Sequence, residues 1–194
     1  MLQTDTQSKP AAYDAIWRDT LAQQFGMPSD VPTGSLLRTL AALKPGGLLL
    51  ELGTGTGMAT SWLLDGMDAD ARLITVDNDP LPLSVAQAHL GHDPRLTIQL
   101  APGETVIDSL PPGTVDLIFA DAWPGKYNHL DEALALLKPG GLFIVDDMLP
   151  QPNWPAGHDR KADALVTRLE AMPGLQLTKL NWSTGLILAV KRAG

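Results

Sequence analysis

The stretch LLLELGTGTG, residues 48–57, joins a continuous apolar run to glycines at alternate positions. An apolar run that does not alternate with polar residues is typical of a strand buried on both faces of a parallel sheet. Glycine tolerates positive φ and close backbone approach, so Gly53, Gly55 and Gly57 predict a sharp turn that can come near a ligand. The stretch therefore predicts a strand, a glycine loop and a helix whose N-terminus offers free amides.

Further apolar runs repeat this pattern and alternate with helix-like segments. They lie at residues 72–76, 95–100, 115–120, 141–145, 175–180 and 185–190, and helices are predicted near 56–65, 81–90, 104–110, 129–137 and 158–172. Alternation of strands and helices predicts a doubly wound α/β fold. Only NWST separates the last two runs, which is too short for a helical crossover and predicts an antiparallel hairpin. We expect a mostly parallel seven-stranded sheet with a terminal antiparallel strand.

The N-terminal residues precede this alternating pattern. Residues 1–10 are predicted to form a loose tail and residues 11–25 a helix, and a second helix is predicted to begin at a cap formed by Ser35 or Thr33. We therefore divide the chain into an N-terminal tail and helix, residues 1–30, and one domain, residues 31–194.

Composition and charge exclude several classes of protein. The chain has 194 residues, 44% of them hydrophobic, which is typical of a folded globular protein. Its net charge of −8 argues against a nucleic-acid binder and against docking on anionic membranes. No run approaches the roughly 18 apolar residues of a membrane span. Because the first residues form no apolar leader, we expect a cytoplasmic protein.

Acidic residues end the first two strands. Asp77 follows Gly53 by 24 residues, and a carboxylate there can accept both ribose hydroxyls of a nucleoside. The neighbouring Asp79 suits the cap of the next helix, with Pro80 at its first position. Glu51 would repel a pyrophosphate but suits a ligand that carries an amino group. The residues predict a nucleoside site rather than a dinucleotide site.

Carboxylates also follow the fourth and fifth strands. Asp121 ends the run 115–120, and Asp146 and Asp147 end the run 141–145. Neighbouring strands lie about 4.8 Å apart, and their carboxyl ends open on one crevice. Grouped carboxylates raise each other's pKa unless a cation compensates them, and hard divalent cations prefer such oxygens. The sequence predicts either a divalent-cation site or a solvated carboxylate group in which Asp147 caps a turn.

From about Thr33 onward the chain resembles the class I S-adenosylmethionine-dependent methyltransferases. ELGTGTG is similar to their first motif, and Asp77 stands at their ribose-binding position. FADAWPGKY (119–127) and IVDDM (144–148) resemble the metal-dependent O-methyltransferases, the group of the catechol and caffeoyl-CoA enzymes. The resemblance implies a seven-stranded fold, S-adenosylmethionine as cofactor, and divalent-metal-assisted O-methylation of a small hydroxylated acceptor.

The resemblance also implies roles for individual residues. The implied cofactor-binding residues are Glu51, Gly53, Thr54, Gly55, Gly57, Asp77, Asn78, Gly103, Glu104, Asp121 and Trp123. The implied ligands of Mg²⁺, or of Ca²⁺ or Mn²⁺, are Asp121, Asp146 and Asp147. The sequence departs from the group twice, because Asp147 replaces an asparagine and Pro124 replaces the catalytic lysine. Lys126 is then the candidate base, acting with Asp121.

Two other functions fit the same motifs. One is an aminopropyltransferase-like enzyme, which would use acidic residues to hold a polyamine. The other is a cofactor-binding protein without methyl-transfer activity, which Pro124 favours. A small-molecule acceptor is the expected partner of an enzyme, and the N-terminal helix could serve as a homodimer contact or as a lid.

Overall fold

Seven strands, numbered in chain order, form one sheet in the computed structural model, which describes residues 8–152 and 154–193. The strands are β1 (Leu48–Leu52), β2 (Arg72–Asp77), β3 (Leu96–Leu100), β4 (Val115–Ala120), β5 (Leu137–Val145), β6 (Leu175–Leu180) and β7 (Leu186–Lys191). The helices are α1 (Tyr13–Ala22), α2 (Val31–Ala42), α3 (Met58–Gly66), α4 (Pro80–Leu90), α5 (Gly103–Ser109), α6 (Leu130–Leu136) and α7 (His158–Glu170).

The strand order is β3-β2-β1-β4-β5-β7-β6. The pairs among β1 to β5 are parallel, whereas β7 pairs antiparallel with both β5 and β6. The predicted doubly wound α/β sheet with an antiparallel hairpin is therefore confirmed. The antiparallel strand β7 is the last in the chain but lies inside the sheet, between β5 and β6.

Two apolar cores cover the two faces of the sheet. Residues of α1, α2, α3 and α4 pack on one face and residues of α5, α6 and α7 on the other. The central strands are buried on both faces, and β1 and β4 expose almost no side-chain surface. This double burial explains why the apolar runs of the sequence are continuous.

The bounds of several elements differ from those predicted, and for two of them the structure gives a local reason. Helix α2 begins at Val31, because the Asp30 side chain accepts a hydrogen bond of 2.9 Å from the amide of Thr33 and a proline occupies the first turn. The predicted caps, Ser35 and Thr33, instead lie inside the helix. Strand β5 begins at Leu137 rather than at residue 141, because Leu137 pairs with Val115 ahead of a register shift.

Helix α1 is part of the packed structure. Tyr13 and Ile16 are buried in the same core as Trp62. The Thr20 hydroxyl bonds the hydroxyl of Thr56, in the glycine loop, over 2.8 Å. These contacts fix the segment between α1 and α2 beside the carboxyl edge of the sheet. In the described part of the chain, every helix is too short or too polar to cross a membrane.

Candidate active site

A cavity of about 570 Å³, here called the crevice, opens at the carboxyl ends of β1, β2, β4 and β5. Its walls combine the glycine loop, strand-end carboxylates and residues of the segment between α1 and α2. The predicted site residues that line it are Gly53, Thr54, Gly55, Asp77, Asn78, Gly103, Glu104, Asp121, Trp123 and Asp147. Residues from separate parts of the sequence therefore meet where an α/β fold binds its ligands.

The glycines of the loop serve different contacts. Gly53 has a φ of +101°, and a Cβ there would lie 2.9 Å from the carbonyl oxygen of Asp121. Gly57 also has a positive φ, but a Cβ there would lie 2.9 Å from the Cβ of Ala86 in α4. Gly57 thus allows α3 and α4 to pack closely and does not line the crevice.

Asp77 is fixed at the end of β2 by backbone amides. One carboxylate oxygen accepts a hydrogen bond of 2.8 Å from the amide of Gly55, and the other accepts one of 3.0 Å from the amide of Asp79. Asp79 caps α4 through the amide of Leu81, as predicted. Each Asp77 oxygen keeps a free lone pair, so the carboxylate can still accept hydroxyl donors from the crevice.

Glu51 lies behind the glycine loop instead of in the crevice. Its side chain is fully buried, and one oxygen accepts hydrogen bonds of 2.5 Å from the hydroxyls of Thr60 and Thr75. The Thr75 hydroxyl also bonds that of Thr54, in the glycine loop, at 2.6 Å. Burial raises the Glu51 pKa to about 7. Glu51 was predicted to contact a ligand amino group directly, but in the structure it supports the glycine loop instead.

The carboxylates after β4 and β5 form one electrostatic group. Burial, followed by the charges of Asp146 and Asp147, raises the Asp121 pKa well above its ordinary value. Burial also raises the pKa of Asp146 to about 6 and raises that of Asp147. Asp121 and Asp147 face the crevice, whereas Asp146 is buried behind them. Positive charge nearby is required if these three carboxylates are to be ionised together.

Lys126 lies within that group. A tight turn redirects it, because the amide of Lys126 and that of Tyr127 both bond the carbonyl of Trp123, and Gly125 has a φ of +79°. The buried Nζ donates a hydrogen bond of 2.5 Å to the main-chain carbonyl of Asp146. Burial lowers the Lys126 pKa, against the attraction of the carboxylates. Lys126, predicted as the base, does not line the crevice, and it acts on Asp121 through its charge.

The predicted cation ligands lie close enough to interact but are not arranged as a metal site. Within residues 8–152 and 154–193, no three His, Cys, Asp or Glu side chains are grouped as a metal ion requires. Asp146 is engaged elsewhere, since one oxygen accepts bonds from the Thr184 hydroxyl and the Asp147 amide. Lys126 adds a competing positive charge. As arranged, these residues do not fit a divalent cation.

Trp123 forms a flat wall of the crevice. Its side chain is 51% exposed, and the Lys161 Nζ lies 3.9 Å from its ring centroid. Nearby, the Glu104 carboxylate accepts a hydrogen bond of 2.6 Å from the side-chain amide of Asn128. This end of the crevice offers an aromatic surface beside Gly103, which suits a planar ring.

The sequence interpretation missed part of the crevice wall. Phe25, Met27, Pro28 and Ser29, between α1 and α2, line it. The Ser29 hydroxyl lies 3.4 Å from a carboxylate oxygen of Asp121. In the sequence this segment shows only the composition of a loop rich in proline and glycine. Its position in the crevice wall was missed because that position depends on how α1 docks on the glycine loop.

A second missed group adjoins the buried side of the site. The Tyr127 hydroxyl lies 3.0 Å from Nε2 of His158, and the Trp154 ring packs against that imidazole with centroids 4.5 Å apart. Trp154 therefore packs against His158, which lies four residues further along the chain. The signal in the sequence was the aromatic content of residues 123–127 and 154–158, but only the fold joins them.

Comparisons with known proteins agree with this architecture. A family model described as a methyltransferase domain matches residues 50–148, half of the chain. A probable O-methyltransferase of Mycobacterium tuberculosis is 37% identical over 118 residues, which are 58% of this chain and 52% of that protein. The chain thus spans about half the length of the curated relatives it matches.

Solved structures share the whole fold. The O-methyltransferase TomG of Streptomyces achromogenes, involved in tomaymycin synthesis, was solved in complex with S-adenosylmethionine. Its TM-score is 0.83 at 22% identity, and the match covers 97% of this chain and 93% of that one. The O-methyltransferase of Bacillus cereus has a TM-score of 0.83 at 20% identity, with coverage of 97% and 94%. At such identities the likeness carries the fold alone. The family match covers the glycine loop, Asp77 and all three strand-end carboxylates, and by that match the chain belongs to the methyltransferase domain family.

Proposed function

We propose that the protein is an S-adenosylmethionine-dependent methyltransferase that methylates the hydroxyl oxygen of a small acceptor. The observation that carries this proposal is one crevice that joins the glycine loop and Asp77 to Asp121 and Asp147. The family match supports methyl transfer, and the names of the curated relatives support oxygen as the methylated atom.

The residues of the crevice fit S-adenosylmethionine at one end. Asp77 would accept the ribose hydroxyls, the wall formed by Trp123 and Gly103 would hold the adenine, and Gly53 and Gly55 leave room for the chain that carries sulfur. When bound, S-adenosylmethionine supplies an electrophilic methyl group on a sulfonium. The contribution of the protein is to hold the acceptor oxygen in line with that methyl group.

Asp121 is the candidate group for the acceptor hydroxyl. It lines the crevice next to Gly53, and burial raises its pKa, so that its ionised form is a stronger base than an ordinary carboxylate. It would accept the hydroxyl hydrogen as the oxygen is alkylated. Lys126, behind the carboxylates, would stabilise the charge that collects there.

The divalent cation stays a prediction of the sequence. The ligand arrangement described above does not fit it, so no step is derived through a metal. Because the pKa values of the three carboxylates are raised, a bound cation would stabilise their ionised forms. Metal titration is therefore the direct test.

The test of the proposed function is calorimetric and enzymatic. We expect Asp77→Ala to weaken S-adenosylmethionine binding by about 1.5–3 kcal/mol, because hydrogen bonds to a charged group are lost. The control is Asp163→Ala, on the exposed side of α7, which should bind as the wild type does. Transfer of a labelled methyl group to a panel of phenols and alcohols then separates an enzyme from a binding protein. Equal affinities for wild type and Asp77→Ala would refute this cofactor site.

An aminopropyltransferase-like reaction predicts a different product. It would require a decarboxylated cofactor and a polyamine, and mass spectrometry would detect a gain of an aminopropyl group instead of a methyl group. The relatives named as O-methyltransferases favour the methyl group.

A further inference from the structure

Met27 lies in the wall of the crevice, and at 67% it is the most exposed large apolar side chain in the described part of the chain. We propose that Met27 is an oxidation site, at which a peroxide converts the thioether to a sulfoxide and so weakens ligand binding in the crevice. The inference rests on the proposed function for the identity of the ligand, S-adenosylmethionine or its product S-adenosylhomocysteine. It adds a site of chemical modification that controls the same crevice.

Exposure separates Met27 from the other methionines that the structure describes. Met58, which also lines the crevice, and Met67 are buried, with 2% and 6% of their surface exposed. Met148 and Met172 are half-buried. Because the oxidant must reach the sulfur atom, a thioether in contact with solvent reacts before a shielded one. The chain contains no cysteine, so no thiol of the protein competes for the oxidant.

The oxidation of Met27 requires a peroxide and no other reactant. A lone pair of the thioether sulfur attacks one oxygen of hydrogen peroxide, an S–O bond forms and the O–O bond breaks. The second oxygen leaves as water with both hydrogens of the peroxide, and the sulfur has lost two electrons. The product is a polar, chiral sulfoxide in place of a flexible apolar thioether, and a thiol-dependent reductase can reverse the change.

Met27 is the central residue of a segment that is held on both sides. On one side the Phe25 ring rests on the glycine loop, since a Cβ at Gly55 would lie 3.1 Å from that ring. On the other side the Ser29 hydroxyl lies 3.4 Å from a carboxylate oxygen of Asp121. The segment therefore runs along the crevice from the glycine loop to the carboxylate that follows β4.

A sulfoxide at residue 27 would change the crevice wall in two ways. The thioether surface, which can pack against a ligand, becomes polar and hydrated. The sulfoxide oxygen also carries partial negative charge, and the ionisable side chains in the described lining of the crevice are all acidic: Asp77, Asp79, Glu104, Asp121 and Asp147. Repulsion between that oxygen and ionised carboxylates would push the segment away from Asp121, so we expect a ligand to bind more weakly.

The experiment treats the full chain with dilute hydrogen peroxide and locates the added oxygen by peptide mapping with mass spectrometry. We expect Met27 to be oxidised about tenfold faster than the four shielded methionines named above. A ligand that fills the crevice would cover Met27, so S-adenosylhomocysteine should slow its oxidation about threefold. Calorimetry then compares the affinity for S-adenosylhomocysteine before and after oxidation, and we expect a loss of about fivefold.

Three variants assign the effect to Met27. Met27→Leu keeps an apolar side chain without an oxidisable sulfur, so peroxide should leave its affinity at the value measured before treatment. Met27→Gln places a polar oxygen at the same position and should lower the affinity without any peroxide. The matched control is Met172→Leu, which removes a methionine that packs against the core beneath α7 and should lose affinity on treatment as the wild type does.

Three results would overturn the inference. They are oxidation of another described methionine ahead of Met27, an affinity that is the same before and after oxidation of Met27, and an equal loss of affinity in treated Met27→Leu. Absence of S-adenosylhomocysteine binding by the untreated protein would instead refute the proposed function. The peptide map needs no ligand, so it would still show whether Met27 is the oxidation site.

Discussion

The Nζ of Lys126 donates a 2.5 Å hydrogen bond to the main-chain carbonyl of Asp146, so a lysine lies inside the carboxylate group that ends β4 and β5. The resemblance of the sequence to the metal-dependent O-methyltransferases implies a cation bound among these carboxylates. Here Pro124 and Gly125 form a turn that points Lys126 at them from behind. Positive charge is thus supplied by the chain itself.

Replacing Lys126 should therefore create a metal site. We expect the wild type to bind Mn²⁺ weakly and Lys126→Met to bind it at least tenfold more tightly, because the carboxylates lose their competing cation. Titration followed by electron paramagnetic resonance measures bound Mn²⁺ directly. The control is Lys179→Met, an exposed partner of Glu170. Tight Mn²⁺ binding by the wild type would instead support the metal site that the sequence predicts.

Glu51 should make stability depend on pH. Burial raises its pKa from 4.5 to about 7, so the folded state holds a proton that the unfolded state has released. The stabilisation of the folded state by this proton is fully present below pH 4.5 and is lost as the pH rises to about 7. In total it amounts to about 3 kcal/mol of the free energy of unfolding. Urea unfolding at several pH values should show wild type losing stability relative to Glu51→Gln across this range. A pH-independent difference between the two proteins would contradict the assignment.

Gly34 should not tolerate a side chain. A Cβ there would lie 2.2 Å from Cδ1 of Trp62, whose side chain is fully buried and cannot move aside. Gly34→Ala should destabilise the protein by about 1–3 kcal/mol, in spite of the better helix propensity of alanine. Gly26→Ala is the matched control, since nothing lies within 4 Å of its Cβ position. Thermal unfolding of both variants measures the difference, and equal midpoints would show that Trp62 can adapt.

Thr20 should couple helix α1 to cofactor binding. Its hydroxyl bonds the Ile16 carbonyl and the hydroxyl of Thr56 in the glycine loop, both at 2.8 Å. Thr20→Val leaves Thr56 buried with one partner fewer, so we expect a loss of about 1–3 kcal/mol in stability and weaker S-adenosylmethionine binding. Thr39→Val, which removes the same type of helix bond at an exposed position, should affect neither. Unchanged cofactor affinity in Thr20→Val would show that α1 does not support the loop.

The sequence predicted those features that depend on neighbours along the chain. The continuous apolar runs predicted the seven strands, since burial on both faces leaves no polar alternation. The short NWST link predicted the antiparallel hairpin, because no crossover fits in it. Asp79 was predicted as the cap of α4, since capping involves only the next few amides.

Tertiary structure decided how those parts meet. Nothing local to Glu51 shows that hydroxyls of α3 and β2 hold it behind the loop, or that Asp146 faces inward while Asp147 faces the crevice. Lys126 reaches the carboxylates because a turn redirects it, and the segment around Met27 becomes a wall because α1 docks on the glycine loop. The physical reason is that charge, burial and reach depend on residues far apart in the chain. The sequence by itself determined the fold and the types of group at the strand ends, and only the packing of the helices decided which of those groups face a ligand.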